Sequence, residues 1–131
     1  MRPALLIGYV WFCGVFLLLQ GVSTLAAHTF PAIDEAFPSL LRVTQMVPAH
    51  SMLHIVTALI AFWTLRRGAR AMAWFAGVFG LFYVGLAAVG YATGSSLGLG
   101  LQTFDHPFHL LLGALGLIAV GAQAWRHENR T

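Results

Sequence analysis

The sequence predicts an all-α fold, a four-transmembrane-helix bundle made of two tandem helix-hairpin repeats with both termini cytoplasmic, and three observations predict it. The first is composition: 59% of the 131 residues are hydrophobic and 8% charged, against about 25% charged in soluble domains. Such a chain belongs in a bilayer, and at about 20 residues per span its length allows about four spans. The second is punctuation: polar and helix-breaking residues divide the apolar sequence into blocks at about 4–27, 46–65, 71–92 and 105–125, one domain over 1–131. The third is repetition. WFCGVF (Trp11 to Phe16) returns as WFAGVF (Trp74 to Phe79), and AHSMLHIVTALIAF (Ala49 to Phe62) is echoed by FDHPFHLLLGALGLI (Phe104 to Ile118).

Ala4 to Ala27 is interrupted only by Gln20, Ser23 and Thr24. With Arg2 in front and Ala26 and Ala27 behind, it resembles a secretory signal. Its apolar run is longer than a signal core of about 7 to 15 residues, and it duplicates a later helix, so it is expected to be retained. The stretch from Ala27 to Pro48 is the longest connection and carries Pro31, Asp34, Glu35, Pro38 and Arg42. The two prolines preclude one continuous helix. Between Phe37 and Val47 either a short interfacial helix or a plain loop fits the pattern. The second span opens near Pro48, which is tolerated at a helix start, and stops at Arg66-Arg67-Gly68-Ala69-Arg70. After the third span, GYATGSSLGLG (Gly90 to Gly100) reads as a flexible link, and the fourth span ends at Trp125 before a polar tail. The single Cys13 has no partner for a disulfide and reads as a small packing residue. The tyrosines Tyr9, Tyr83 and Tyr91 and the four tryptophans read as interfacial anchors.

Orientation follows from the arginines. Arg2, Arg66, Arg67, Arg70, Arg126 and Arg130 share one side of a four-span arrangement, whereas the other side has Arg42 beside Asp34, Glu35 and Asp105. The positive-inside rule puts the first group in the cytoplasm. A reporter fused at Arg67 is expected to read cytoplasmic and one at Asp34 external; the reverse would invert the placement of everything below. The +3 net charge is thereby a topology signal, and no nucleic-acid partner is implied.

Two histidines inside a spanning run need an explanation. Shifted by 55 residues, His54 falls on His109, His50 on Asp105 and Ala58 on Gly113. The spans that flank them, related through the WFxGVF echo, are shifted by 63. Each half is then a helix hairpin entering from the same side, related by an axis along the membrane normal, and His54 and His109 are expected to face inward at similar depth. The histidine cluster falls toward the extracytoplasmic face. Leu53-His54 through Ala58 and Phe108-His109 through Gly113 resemble the LHxxxG-like runs that open the second and fourth helices of small bacterial membrane proteins grouped as domain of unknown function 4383. Thr103-Phe104-Asp105-His106 stands where those proteins tend to carry an Asn-Ala-Asp-Asn-like approach. The resemblance spans nearly the whole chain and implies the four-helix fold and a bacterial cytoplasmic (inner) membrane, with no established activity.

Several readings of the cluster stay open. His50 and His54, at i and i+4, share a helix face, as do His106 and His109 at i and i+3. With Asp105 they supply imidazole and carboxylate ligands suited to a transition metal, giving a metal set of His50, His54, Asp105, His106 and His109. His54 and His109 alone could clasp a haem b if the second and fourth spans are diagonal, with Ala58 and Gly113 removing bulk below each ring. A third reading has neutral histidines hydrogen-bonding across helices for about 0.6 kcal/mol each, with Gly77, Gly80, Gly85, Gly113, Gly116 and Gly121 permitting close packing. The corresponding functions are a metal- or haem-binding membrane protein, an accessory subunit packing against other membrane subunits or its own copies, and a membrane enzyme acting on a lipid or quinone. The enzyme reading lacks an evident nucleophile, which favours a non-enzymatic role.

Overall fold

The computed structural model describes residues 4–94 and 97–128, with side chains through residue 125. Arg2 and Arg130, used above to orient the chain, lie outside the described residues, as does the Arg126 side chain. The described chain is helical: α1 Ala4–Thr29, α2 Pro31–Ala36, α3 Ser39–Thr44, α4 Pro48–Arg67, α5 Ala69–Thr93 and α6 Asp105–Glu128. Four of these, α1, α4, α5 and α6, are long and apolar enough to cross a membrane. The shortest, α4, has 20 residues, about 30 Å of helix, which matches the hydrocarbon core. The outward surface fits that solvent: Leu19 and Leu81 are each 66% exposed, acceptable against lipid. The chain is a small membrane protein.

Helix ends follow local chemistry. Pro31 limits α1 and then serves as the first residue of α2, its fixed φ and missing N–H costing nothing there. The long connection therefore holds two short helices, not one helix or a plain loop. Pro48 opens α4 in the same way after the extended Val47. Gly68, at φ 94°, makes the α4–α5 turn, a left-handed conformation that only glycine adopts cheaply. Pro107 lies in the first turn of α6, where no intrahelical N–H bond is forfeited.

The helices form two tightly packed pairs, α1 with α4 and α5 with α6, joined more lightly along α4–α5, α1–α5 and α1–α6. Neighbours run antiparallel: Gly14 lies beside Phe62 while Gly21 lies beside Ser51, and Gly80 meets Gly113 while Gly90 meets His106. A Cβ on Gly21 would come 2.7 Å from the Ser51 carbonyl oxygen, and one on Gly113 equally close to that of Gly80. Gly80, Gly113 and Gly116 therefore do permit close packing. Gly77, Gly85 and Gly121 do not, because a Cβ at any of them would meet nothing within 4 Å among the described residues. A core of Leu6, Val10, Cys13, Leu17, Ala58, Ala61, Met72 and Ala76 fills the centre. Tyr9 and Tyr83 are not interfacial anchors: they are 8% and 3% exposed, and the Tyr9 hydroxyl donates to the Leu112 carbonyl at 3.0 Å. A phenol buried among apolar side chains has its polar tip unsatisfied unless a partner is supplied, and both find one inside.

Candidate functional site in the bundle interior

At the end of the bundle opposite the α4–α5 turn, polar side chains from all four spanning helices converge. His50 and His54 come from the first two turns of α4, Tyr83 from the middle of α5, Asp105, His106 and His109 from the start of α6, and Gln20 from α1. The five residues singled out in the sequence are all buried, with His50, His54, Asp105, His106 and His109 between 3% and 7% exposed. They nonetheless divide into three groups with different neighbours.

The first group is His50, His54 and His109 around Tyr83. The His50 and His54 rings meet edge to face at 4.5 Å, and His50 and His109 stand 6.4 Å apart. The Tyr83 ring lies edge-on to His109 at 4.7 Å, and its hydroxyl is 3.4 Å from His54 Nε2, a long hydrogen bond. Tyr83 is itself held by an aromatic ladder down α5, tilted against Phe79 at 4.1 Å, with Phe79 stacked on Phe75 at 5.2 Å. His50 Nδ1 lies 2.9 Å from the Leu99 carbonyl. A carbonyl only accepts, so His50 carries its proton on Nδ1 and presents a lone pair at Nε2. His54 Nδ1 and His109 Nδ1 are buried without a hydrogen-bond partner.

The second group is Asp105, whose Oδ2 accepts the Gln102 backbone N–H at 2.7 Å. It thereby shapes the entry to α6, and Gln102 in turn donates to the Gly100 carbonyl at 3.1 Å. Gly100, at φ 68°, lies so close to the Gln45 carbonyl that a Cβ there would overlap it. Those contacts hold Leu99 where His50 reaches it. The third member, His106, turns away: its ring fills the space left by the missing side chain of Gly90 and packs edge-on to Tyr91 at 5.3 Å.

A cavity of about 100 Å3 adjoins the first group. It is lined by His50, His54, Tyr83, Asp105, His109 and Leu112, with Phe16 and Gln20 of α1 and Phe108 of α6; Phe16 and Phe108 stack at 5.6 Å across α1 and α6. The fit of each sequence-derived ligand can be judged against this geometry. Haem-sized ligands need pockets of several hundred Å3, and Tyr83 already touches both His54 and His109. Gly113 does not widen the space, because the α5 backbone at Gly80 and Val84 occupies its open side. A haem between these rings does not fit. Among the described residues, no three histidine, cysteine, aspartate or glutamate side chains are arranged to hold a metal ion; Asp105 Oδ2 accepts the Gln102 N–H, and the His106 ring, its Nδ1 also buried without a partner, lies against Gly90.

Tyr83, Gln20, Phe16 and Phe108 were not singled out as site residues from the sequence. Tyr83 had a signal, since it lies ten residues or more from either end of α5 and so could not be an interfacial anchor. Gln20 was the one amide in the first span. Two ties outside the site were also missed: the Thr24 and Ser51 hydroxyls bond at 2.7 Å between α1 and α4, and His28 Nε2 donates to the Met46 carbonyl at 2.6 Å.

Fold and site together define a small four-span membrane protein with a buried histidine–tyrosine cluster beside a small cavity. No family model matches the chain, and comparisons with curated proteins and with solved structures return no match. The resemblance to domain of unknown function 4383 thus rests on the quoted runs around His54 and His109.

Proposed function

We propose that the protein binds the flat, carbonyl-bearing head group of a lipid-soluble molecule of the quinone class, which enters from the bilayer between α1 and α6. The observation that carries this reading is a cavity lined both by polar groups of His54, Tyr83, His109 and Gln20 and by the Phe16 and Phe108 rings of α1 and α6. Its volume of about 100 Å3 approaches the roughly 150 Å3 that houses a benzene ring in a protein interior. Its open side leaves room for substituents and tail. The Tyr83 hydroxyl, the imidazoles of His54 and His109 and the Gln20 amide supply hydrogen bonds to ring oxygens, and Phe16 and Phe108 offer faces for the ring to lie against. Unsatisfied ring nitrogens in hydrocarbon are costly, and a ligand carbonyl or hydroxyl relieves that cost. The role is binding and positioning, since no nucleophile stands at the site.

The same reading places the cleft toward the extracytoplasmic face of a bacterial inner membrane, supported by Arg66, Arg67 and Arg70 at one end and Asp34, Glu35 and Asp105 at the other. Assembly with other membrane subunits is compatible with it but draws no support from the site.

The test is thermal denaturation of the detergent-purified protein with ubiquinone-1, a single-ring quinone carrying one isoprenoid unit. At about 100 times its Kd the ligand adds about 2.7 kcal/mol to stability, so the melting temperature should rise by several degrees. No shift at saturation, together with stoichiometric transition metal in protein purified without chelator, would discard the quinone reading in favour of imidazole–metal ligation.

A further inference from the structure

A larger and more apolar cavity lies elsewhere, on the opposite side and toward the opposite end of the bundle. It is a groove of about 640 Å3 between α4 and α5, walled by Ile60, Trp63, Trp74, Val78, Phe79 and Phe82. From Leu53, its farthest residue, to Arg67 the α4 axis covers about 21 Å, which exceeds the roughly 15 Å of one leaflet's hydrocarbon. The groove runs along the spanning helices, so an extended acyl chain can lie in it.

What closes the groove identifies the rest of the ligand. The α4–α5 turn carries Arg66, Arg67 and Arg70, all exposed. The Arg67 guanidinium sits 4.9 Å over the ring of Trp63, a groove residue, so a cation is positioned directly above the channel mouth. Trp63 and Trp74, 52% and 67% exposed, lie about one turn from Arg67 and Arg70 along their helices, the position of indole rings that anchor span ends at head groups. Three of the four acidic residues, Asp34, Glu35 and Asp105, stand at the other end of the bundle. Positive-inside charge alone would place arginines near this turn, but it does not provide a groove beneath them or a guanidinium parked on the groove's own tryptophan. Basic pockets between helices at the membrane surface bind anionic lipid head groups.

We infer that the α4–α5 groove is a site for one anionic phospholipid, with an acyl chain between Trp63 and Trp74 and the phosphate on Arg66, Arg67 and Arg70. This site is separate from the α1–α6 cleft and does not depend on what the cleft binds.

The test is native mass spectrometry of the full chain released from vesicles containing equal amounts of phosphatidylglycerol and phosphatidylcholine. One phosphatidylglycerol is expected to stay bound with a preference of about tenfold or more. The triple variant Arg66→Gln, Arg67→Gln, Arg70→Gln should lose that preference yet still retain lipid. Val78→Trp, which fills the groove and keeps the arginines, should lose retention of both lipids. Because Val78 is 59% exposed, Val78→Trp is expected to fold, which its circular dichroism checks. Equal retention of the two lipids by the unaltered chain, an undiminished preference in the triple variant, or a lipid-free dimer occupying this face would each overturn the assignment.

Discussion

Gly113→Val is expected to separate α5 from α6 and lower stability by about 3 kcal/mol, the upper part of the range for overpacking. The reason is what the new side chain would meet. A Cβ at Gly113 would lie 2.7 Å from the Gly80 carbonyl oxygen and 2.8 Å from the Val84 backbone nitrogen. Side chains can swing aside; helical backbone cannot without moving the helix. Because α5 carries Tyr83 and α6 carries His109, the same displacement would open the site. Gly121→Val on the same helix is the control, since a Cβ at Gly121 would meet nothing within 4 Å among the described residues. The denaturation midpoint in mild detergent should fall sharply for the first variant and stay near that of the unaltered chain for the second. Equal midpoints would mean that α5 and α6 do not pack through Gly80 and Gly113.

The second large effect is expected from Tyr83→Phe, and it should appear in binding and not in folding. The ring packed between Phe79 and His109 is retained, so most of the packing survives, and the lost hydrogen bond to His54 is long at 3.4 Å. Stability should change by no more than about 1 kcal/mol. A ligand oxygen that used the hydroxyl in a buried site would lose about 1 to 3 kcal/mol, which is roughly five- to 150-fold in Kd for ubiquinone-1. Tyr91→Phe, at a residue 57% exposed, should leave both unchanged. If Tyr83→Phe bound ubiquinone-1 as tightly as the unaltered chain, the floor of the cleft would not be what holds the ligand.

Some of this was legible in the sequence and some was not, for physical reasons that differ by residue. The four spans were legible because an apolar run of sufficient length is a one-dimensional property, and the bilayer fixes the length. The burial of His54 and His109 was legible because an imidazole gains nothing by facing lipid. Their neighbours were not, because they depend on which helices pair. Gly113 reads equally well as space for a ligand or as a helix contact, and the α5 backbone decides it. His106 is only three residues from His109, yet it is drawn to the hollow at Gly90 on another helix. Asp105 reads as a ligand by type and aligns with His50 at the 55-residue shift, but one of its oxygens accepts the Gln102 N–H. Tyr83 was hidden by a rule that holds near membrane surfaces and fails in mid-span. The paired prolines of the long connection marked breaks correctly, and Pro31 also began a helix because its ring suits a first turn as well as it ends a preceding one.

The most direct test of the central claim is where a bound quinone sits. Irradiating the purified protein with a photoreactive azido derivative of ubiquinone-1 and sequencing the labelled peptides should place the label on α1 near Phe16 and Gln20 and on α6 between Phe104 and Leu112, with excess ubiquinone-1 preventing it. Label confined to the α4–α5 groove, or spread over the lipid-facing surface and indifferent to competitor, would contradict a quinone site between α1 and α6.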